Sequence, residues 1–190
     1  MGSRGDKSLP AFGFLTVVQN EQHGLFGGYL VLNSNGRPLE FHCTAPIKPN
    51  RAQEILYGPT LEPYLYGEQI GQTLIAKSQT QPALICTDLA PVLAARQFVS
   101  PPVALVLDVP GEEANASEME KTFRVDAAHG HRPALPTFQL GRNRLAVAAE
   151  YSGDQELLTA ELAAVAEHFD LSEPFGRIRG AIEEAQRGGR

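Results

Sequence analysis

Apolar and polar positions change period along the chain, and the changes mark its elements. Residues 12–18, Phe-Gly-Phe-Leu-Thr-Val-Val, are rich in β-formers and predict a strand. Residues 25–32 predict a second, with Gly27 and Gly28 as candidates for a bulge. Asn35-Gly36 follows; both residues tolerate positive φ, so a tight hairpin is expected, with a third strand over residues 39–47 closed by Pro46 and Pro49. Asn50 with Gln53 three residues on has the form of a capping box, and Ala52, Ile55 and Leu56 start an apolar stripe. Gly58-Pro59 interrupts it, and residues 61–77 predict the main helix. Residues 83–87 and 103–108 are short continuous apolar runs, the pattern of strands covered on both faces. Between them, Asp88 is placed to cap a short helix over residues 89–97.

The last third changes character. Residues 110–121 are acidic and aperiodic, which predicts a mobile loop, and residues 123–125 form a short strand candidate. Residues 137–140 and 145–150 flank Gly141-Arg-Asn-Arg144 as a second hairpin. Ser152 starts a helix reaching Phe169, and Ser172 caps a last helix with a stripe of Phe175, Ile178, Ala181, Ile182 and Ala185. The expected organisation is a disordered leader over residues 1–10, then a single α/β domain over 11–190. In it, residues 122–190 form a C-terminal α+β segment packed on the core. The architecture is a mixed sheet in the order β-β-β-α-β-α-β, followed by a small β-hairpin and two C-terminal helices.

Composition narrows the setting. The 190 residues are 43% hydrophobic and 20% charged, values of an ordinary globular chain. A net charge of −6 gives no global attraction to nucleic acid or an anionic membrane. No apolar run approaches the ~20 residues of a membrane helix, and the first residues lack the apolar core of a secretory signal. Cys43 and Cys86 form no zinc-spaced cluster, and as buried free thiols they fit a reducing cytoplasm.

The element order resembles that of RNase H-like folds. The resemblance implies phosphodiester cleavage with two metal ions held by acids on the first strand, the first helix and the end of the fourth strand. Asp88 stands at the fourth-strand position and Asp108 ends the fifth strand, but residues 16–20 of the first strand hold no acid. Asp88 is equally explained as a helix cap. Glu68 falls beside the apolar stripe of the main helix, where a carboxylate is partly desolvated and needs a partner such as Arg51 or Arg96. Gly67 and Gly71 lie one turn apart and predict close approach of another element. In the third strand, alternation sends Glu40, His42 and Thr44 to one face and Phe41 and Cys43, as buried residues, to the other. His129 and His131 share a face and form half of a metal site, for which Asp126, His42 or Asp88 is a third ligand candidate. No phosphate loop and no nucleophile elbow occurs. Arg142, Arg144, Arg177 and Arg179 alternate with acids and read as a solvated face or a protein contact.

Tyr57, Tyr64 and Tyr66 sit among Pro46, Pro49, Pro59 and Pro63, a stiffened recognition surface in which Tyr66 projects to the polar side as the anchor. These features rank a non-catalytic binding or assembly subunit of an intracellular complex first. Its binding residues are Tyr57, Tyr64, Tyr66 and His42, its partner is another protein or a second copy, and it has no cofactor. The alternatives are a metal-dependent phosphodiesterase using Glu68, Asp88 and Asp108 with a divalent metal, and a small-molecule sensor with an enclosed cavity near Tyr64 and His42.

Overall fold

The structure, a computed structural model, describes residues 10–107 and 135–188. The expected leader up to residue 9, the acidic loop, the strand at 123–125 and Asp108, Asp126, His129 and His131 lie outside the described residues.

Strands β1 (Ala11–Asn20) and β2 (Gly24–Asn33) pair antiparallel without a break, from Ala11↔Asn33 to Asn20↔Gly24. The bulge expected at Gly27-Gly28 is not there; the register shifts between Val31 and Leu32, against β3 (Pro38–Cys43). The two glycines serve a different need. A Cβ on Gly27 would stand 2.1 Å from Ile70 Cγ2, and one on Gly28 2.3 Å from Ile178 Cγ2. Alternation turns the two positions to opposite faces, so each lets one helix lie against the sheet. Asn33 makes the hairpin turn itself, its carboxamide oxygen accepting from the amides of Asn35 and Arg37, while Gly36 takes φ +74°.

Strands β4 (Leu84–Thr87) and β5 (Val103–Leu107) extend the sheet in parallel beside β1. The hairpin β6 (Thr137–Leu140) and β7 (Asn143–Ala146) joins the same sheet, β7 pairing antiparallel with β5. One seven-stranded sheet results, in the order β3-β2-β1-β4-β5-β7-β6. Its first five strands lie in the order 3-2-1-4-5, and the sheet is mixed as expected from the sequence.

Helices cover both faces. On one side lies α2, a helical run over residues 58–77, preceded by α1 (Arg51–Tyr57), which buries no residue of its own. Leu65, Ile70 and Leu74 of α2 pack with Leu15, Val17, Tyr29 and Ile85, joined by Val92 and Leu93 of the 3-10 helix Ala90–Gln97. On the other side lie α3 (Asp154–Leu162) and α4 (Glu173–Gly188); Leu158, Leu162, Phe175, Ile178 and Ile182 pack on Phe12, Phe14, Cys86 and Leu145. The centre of α2, Tyr64–Gln72, is π-helical rather than α-helical. The close approach expected at Gly67 and Gly71 is present: a Cβ on Gly67 would stand 2.7 Å from Ala94 Cβ, and one on Gly71 3.1 Å from Ala95 Cβ.

The helix expected to reach Phe169 ends at Leu162, and the chain continues to α4 through turns. Buried Asn143 holds that connection. Its Nδ2 donates to the carbonyls of Ala166 (3.3 Å) and Phe169 (3.1 Å), and its Oδ1 accepts from the Leu171 amide at 3.1 Å. Arg96 ties α3 to the opposite layer, its Nε 2.6 Å and its Nη2 3.2 Å from the two oxygens of buried Asp154.

Candidate functional site

Chain connections leave β1 toward β2 and leave β4 toward β5, so the carboxyl ends of these two adjacent parallel strands face a crevice with no crossover above it. In open α/β sheets ligands bind at such a switch point. Leu15 is in register with Thr87, so Thr16 and Asp88 follow next on the two strands. Thr16 pairs with Gly28, whose missing side chain would meet Ile178; Thr16 therefore faces α4. Asp88 turns the same way and its Oδ2 accepts from Arg179 Nη2 on α4.

Asp88 does not cap the helix after it, contrary to expectation. Leu89 is the capping position and no side chain bonds there; the Leu89 amide instead donates to Thr87 Oγ1 at 3.2 Å. The second oxygen of the carboxylate, Oδ1, is buried and has no hydrogen-bond partner among the described residues, and Thr16 Oγ1 is in the same condition. Such groups are rare, and each costs about 1–3 kcal/mol unless a ligand, ion or water satisfies it. Two of them on neighbouring strands, facing one helix at the switch point, mark this crevice as the candidate site.

The other expected residues fall elsewhere. Glu68 is exposed and rides α2, on the face of the sheet opposite α4, so it does not meet Asp88. Its expected partners are engaged otherwise, Arg51 with Glu54 and Arg96 with Asp154. The reason is the π-helical segment: i→i+5 bonding turns the chain less per residue, and a projection at 100° per residue misplaces every side chain in it. Tyr66 is misplaced by the same error. It is half-buried against the α2-side core, and burial pushes its phenol up, so it is no exposed anchor. Tyr57 and Tyr64 stack on each other with centroids 4.1 Å apart, and Tyr64 accepts from Gln69 Nε2 at 2.7 Å.

Glu40 and His42 share a face as expected, with Nε2 of His42 2.9 Å from Oε2 of Glu40. Glu40 also accepts from Ser78 Oγ and from the amides of Gln79 and Thr80, which clamps the end of α2 to β3. The bonds from Thr80, then that from His42, hold its carboxyl down at about 2. Cys43 and Phe41 are exposed, not buried: β3 is an edge strand, and α4 packs on β1 and β2. Burial pushes the Cys86 thiol up to about 12. No group of three or more His, Cys, Asp or Glu side chains able to hold a metal occurs among the described residues, and His129 and His131 lie outside them.

A groove of about 890 Å3 opens between the β1–β2 turn and the last turns of α4. It is lined by Asn20, His23, Phe26, Cys43, Ile182 and Arg187 among others; Tyr64 and His42, around which a sensor cavity was expected, are not in its lining. Sequence reasoning missed Thr16, Arg179 and this groove. Thr16 is visible in retrospect as the lone polar residue between Leu15 and Val17. Arg179 is visible as the position next to core-facing Ile178, although its partner lies 91 residues away.

No family model matches the chain, and no curated protein matches it. Among solved structures, the chain is similar to an Endonuclease V of Ciona intestinalis in complex with a 23mer DNA containing an inosine followed by a ribo-adenosine. The two are 13% identical, with 97% of this chain and 91% of that chain covered and a TM-score of 0.42. A second complex of Ciona Endonuclease V, with a 24mer DNA, gives 11% identity, 93% and 87% coverage and a TM-score of 0.40. Human ENDOV gives 11% identity, 94% and 86% coverage and a TM-score of 0.38. These findings correct two expectations. The first-ranked reading, a non-catalytic binding or assembly subunit with a protein partner or second copy, is withdrawn, because the structures found are endonucleases. The net charge was read as giving no indication of nucleic acid, and that is withdrawn too, because two of those structures hold DNA. Among the described residues no helix is long and apolar enough to cross a membrane.

Proposed function

We propose that the chain is a phosphodiester hydrolase acting on nucleic acid, with its site at the carboxyl ends of β1 and β4 and Asp88 as its acidic centre. The observation that carries this reading is the buried, unpartnered Asp88 Oδ1 beside an equally unpartnered Thr16 hydroxyl at the switch point. A carboxylate oxygen in that condition is suited to a cation.

Among the described residues the donor set fits one divalent cation rather than two. Magnesium is commonly held by one or two carboxylates, with water and substrate phosphate completing its shell. Asp88 Oδ1 would hold it and Thr16 Oγ1 would support it. Two ions about 4 Å apart need bridging acids, and Glu68, on the other face, does not supply one. Of the expected acids Glu68, Asp88 and Asp108, the proposal therefore rests on Asp88. A bound cation would supply Lewis-acid polarisation of a phosphoryl oxygen. The protein's own part is to orient. Arg179 fixes the Asp88 carboxylate through Oδ2, and buried Ile178 and Phe175 hold α4 against the sheet. The cytoplasm is the compartment we propose, since both cysteines are free thiols.

The test is cleavage of end-labelled single- and double-stranded DNA and RNA with magnesium or manganese, by wild-type protein and by Asp88→Asn. The reading expects cleavage that a chelator stops and that Asp88→Asn slows about 100-fold or more. No cleavage of any of these substrates, or an unchanged rate in Asp88→Asn, would overturn it.

A further inference from the structure

We infer that Arg179 is the residue that seats the substrate phosphate beside Asp88. The inference rests on the hydrolase reading and gives Arg179 a second role in it, toward the substrate.

Ile178 is fully buried and Ile182 nearly so, and both lie over Gly28, where any side chain would collide with them. That contact fixes the stretch of α4 from which Arg179 projects. Its guanidinium reaches the rim of the crevice, and 44% of the side chain stays exposed. A guanidinium has five donors in a planar fork. Asp88 Oδ2 takes Nη2, so donors remain for a second anion. The neighbouring arginines of α4 are committed differently. Arg177 donates to Glu173 at 2.7 Å and to the Gly36 carbonyl at 2.9 Å. Arg187 stands 3.7 Å from Glu183 and 4.0 Å from Glu184 on its own helix. Arg179 alone among these three turns to a carboxylate of the candidate site.

Charge leads to the same residue. A carboxylate at the site repels a phosphodiester unless a local cation offsets it. Arg179 is that cation, and its planar fork matches two phosphate oxygens at once. It binds one oxygen of Asp88 and leaves the other, Oδ1, unengaged, so it does not compete for the position the hydrolase reading gives to a metal. Arg179 is thus held by Asp88, ready for phosphate.

The test separates this role from cleavage. Binding of a fluorescein-labelled single-stranded oligonucleotide is measured by anisotropy, in chelator and over a range of salt, for wild type, Arg179→Gln and Arg179→Lys. Arg179→Gln should weaken binding about ten-fold or more, and its salt dependence should fall by about one released ion. Arg179→Lys, which keeps the charge, should restore the salt slope while recovering only part of the affinity. A residue that merely braces α4 would leave the slope unchanged. Unchanged affinity and slope in Arg179→Gln overturn the inference, as does a wild-type chain that binds no oligonucleotide. Cleavage that depends on Asp88, with binding indifferent to Arg179, sinks the inference and leaves the hydrolase. Binding that depends on Arg179 without any cleavage does the reverse.

Discussion

At the scale of single residues, polar side chains hold the connections that apolar packing leaves loose. Asn143 satisfies two carbonyls and one amide in the turns between α3 and α4. Asn143→Ala would strand those groups in a buried place and should cost about 1–3 kcal/mol in urea unfolding. Glu40 clamps the end of α2 to β3, and its lowered carboxyl makes the clamp pH-dependent. The unfolded chain titrates this group near its ordinary 4.5, the folded chain near about 2. The stability it contributes is therefore complete above the higher value and is lost as pH falls through the lower one. Unfolding midpoints between pH 7 and pH 2 should fall less steeply for Glu40→Gln than for wild type. The Glu40–His42 pairing was legible because alternation along a strand is a local rule. The roles of Asn143 and Asp88 were not, since their partners lie far along the chain and local rules instead suggested a turn residue and a helix cap.

At the scale of elements, periodicity located β4, β5 and β6 well and did less well with the helices. It overran β3, which ends at Cys43 rather than residue 47, and set β7 late, at 145–150 rather than Asn143–Ala146. β6 falls on the predicted residues, and β4 and β5 within one residue of them. Strand pleat has a fixed period of two, so small errors do not accumulate. Helical projection assumes a fixed turn, and in α2 the π-helical segment breaks that assumption, which displaced Glu68 and Tyr66 from their expected faces. Glycine spacing survived the change, because Gly67 and Gly71 meet Ala94 and Ala95 whatever the pitch. Gly67→Ala would drive a Cβ to 2.8 Å from the Ala95 backbone nitrogen. It should destabilise by about 1–3 kcal/mol. Gly180→Ala, on the exposed side of α4 with nothing within 4 Å, should instead stabilise by about 0.5–1 kcal/mol. Thermal melts of the two variants should move in opposite directions.

At the scale of the whole molecule, the order of elements was legible and the site was only half so. Asp88 could be placed at the end of the fourth strand from sequence. Nothing in the sequence showed that the last helix returns across β1 and β2 to bring Arg179 to it. Net charge misled for the same reason: it averages over a surface, while binding is decided where Arg179 and Asp88 stand. The central claim is that the carboxyl ends of β1 and β4 form a cation-dependent site around Asp88. The most direct measurement is manganese titration of the isotopically labelled protein, followed by paramagnetic broadening of its backbone amide signals. Early broadening should centre on Thr16, Thr87, Asp88 and Leu89 and be abolished by Asp88→Asn. Broadening centred on the α2 face around Glu62 and Glu68, or none near Asp88 at saturating manganese, would contradict it.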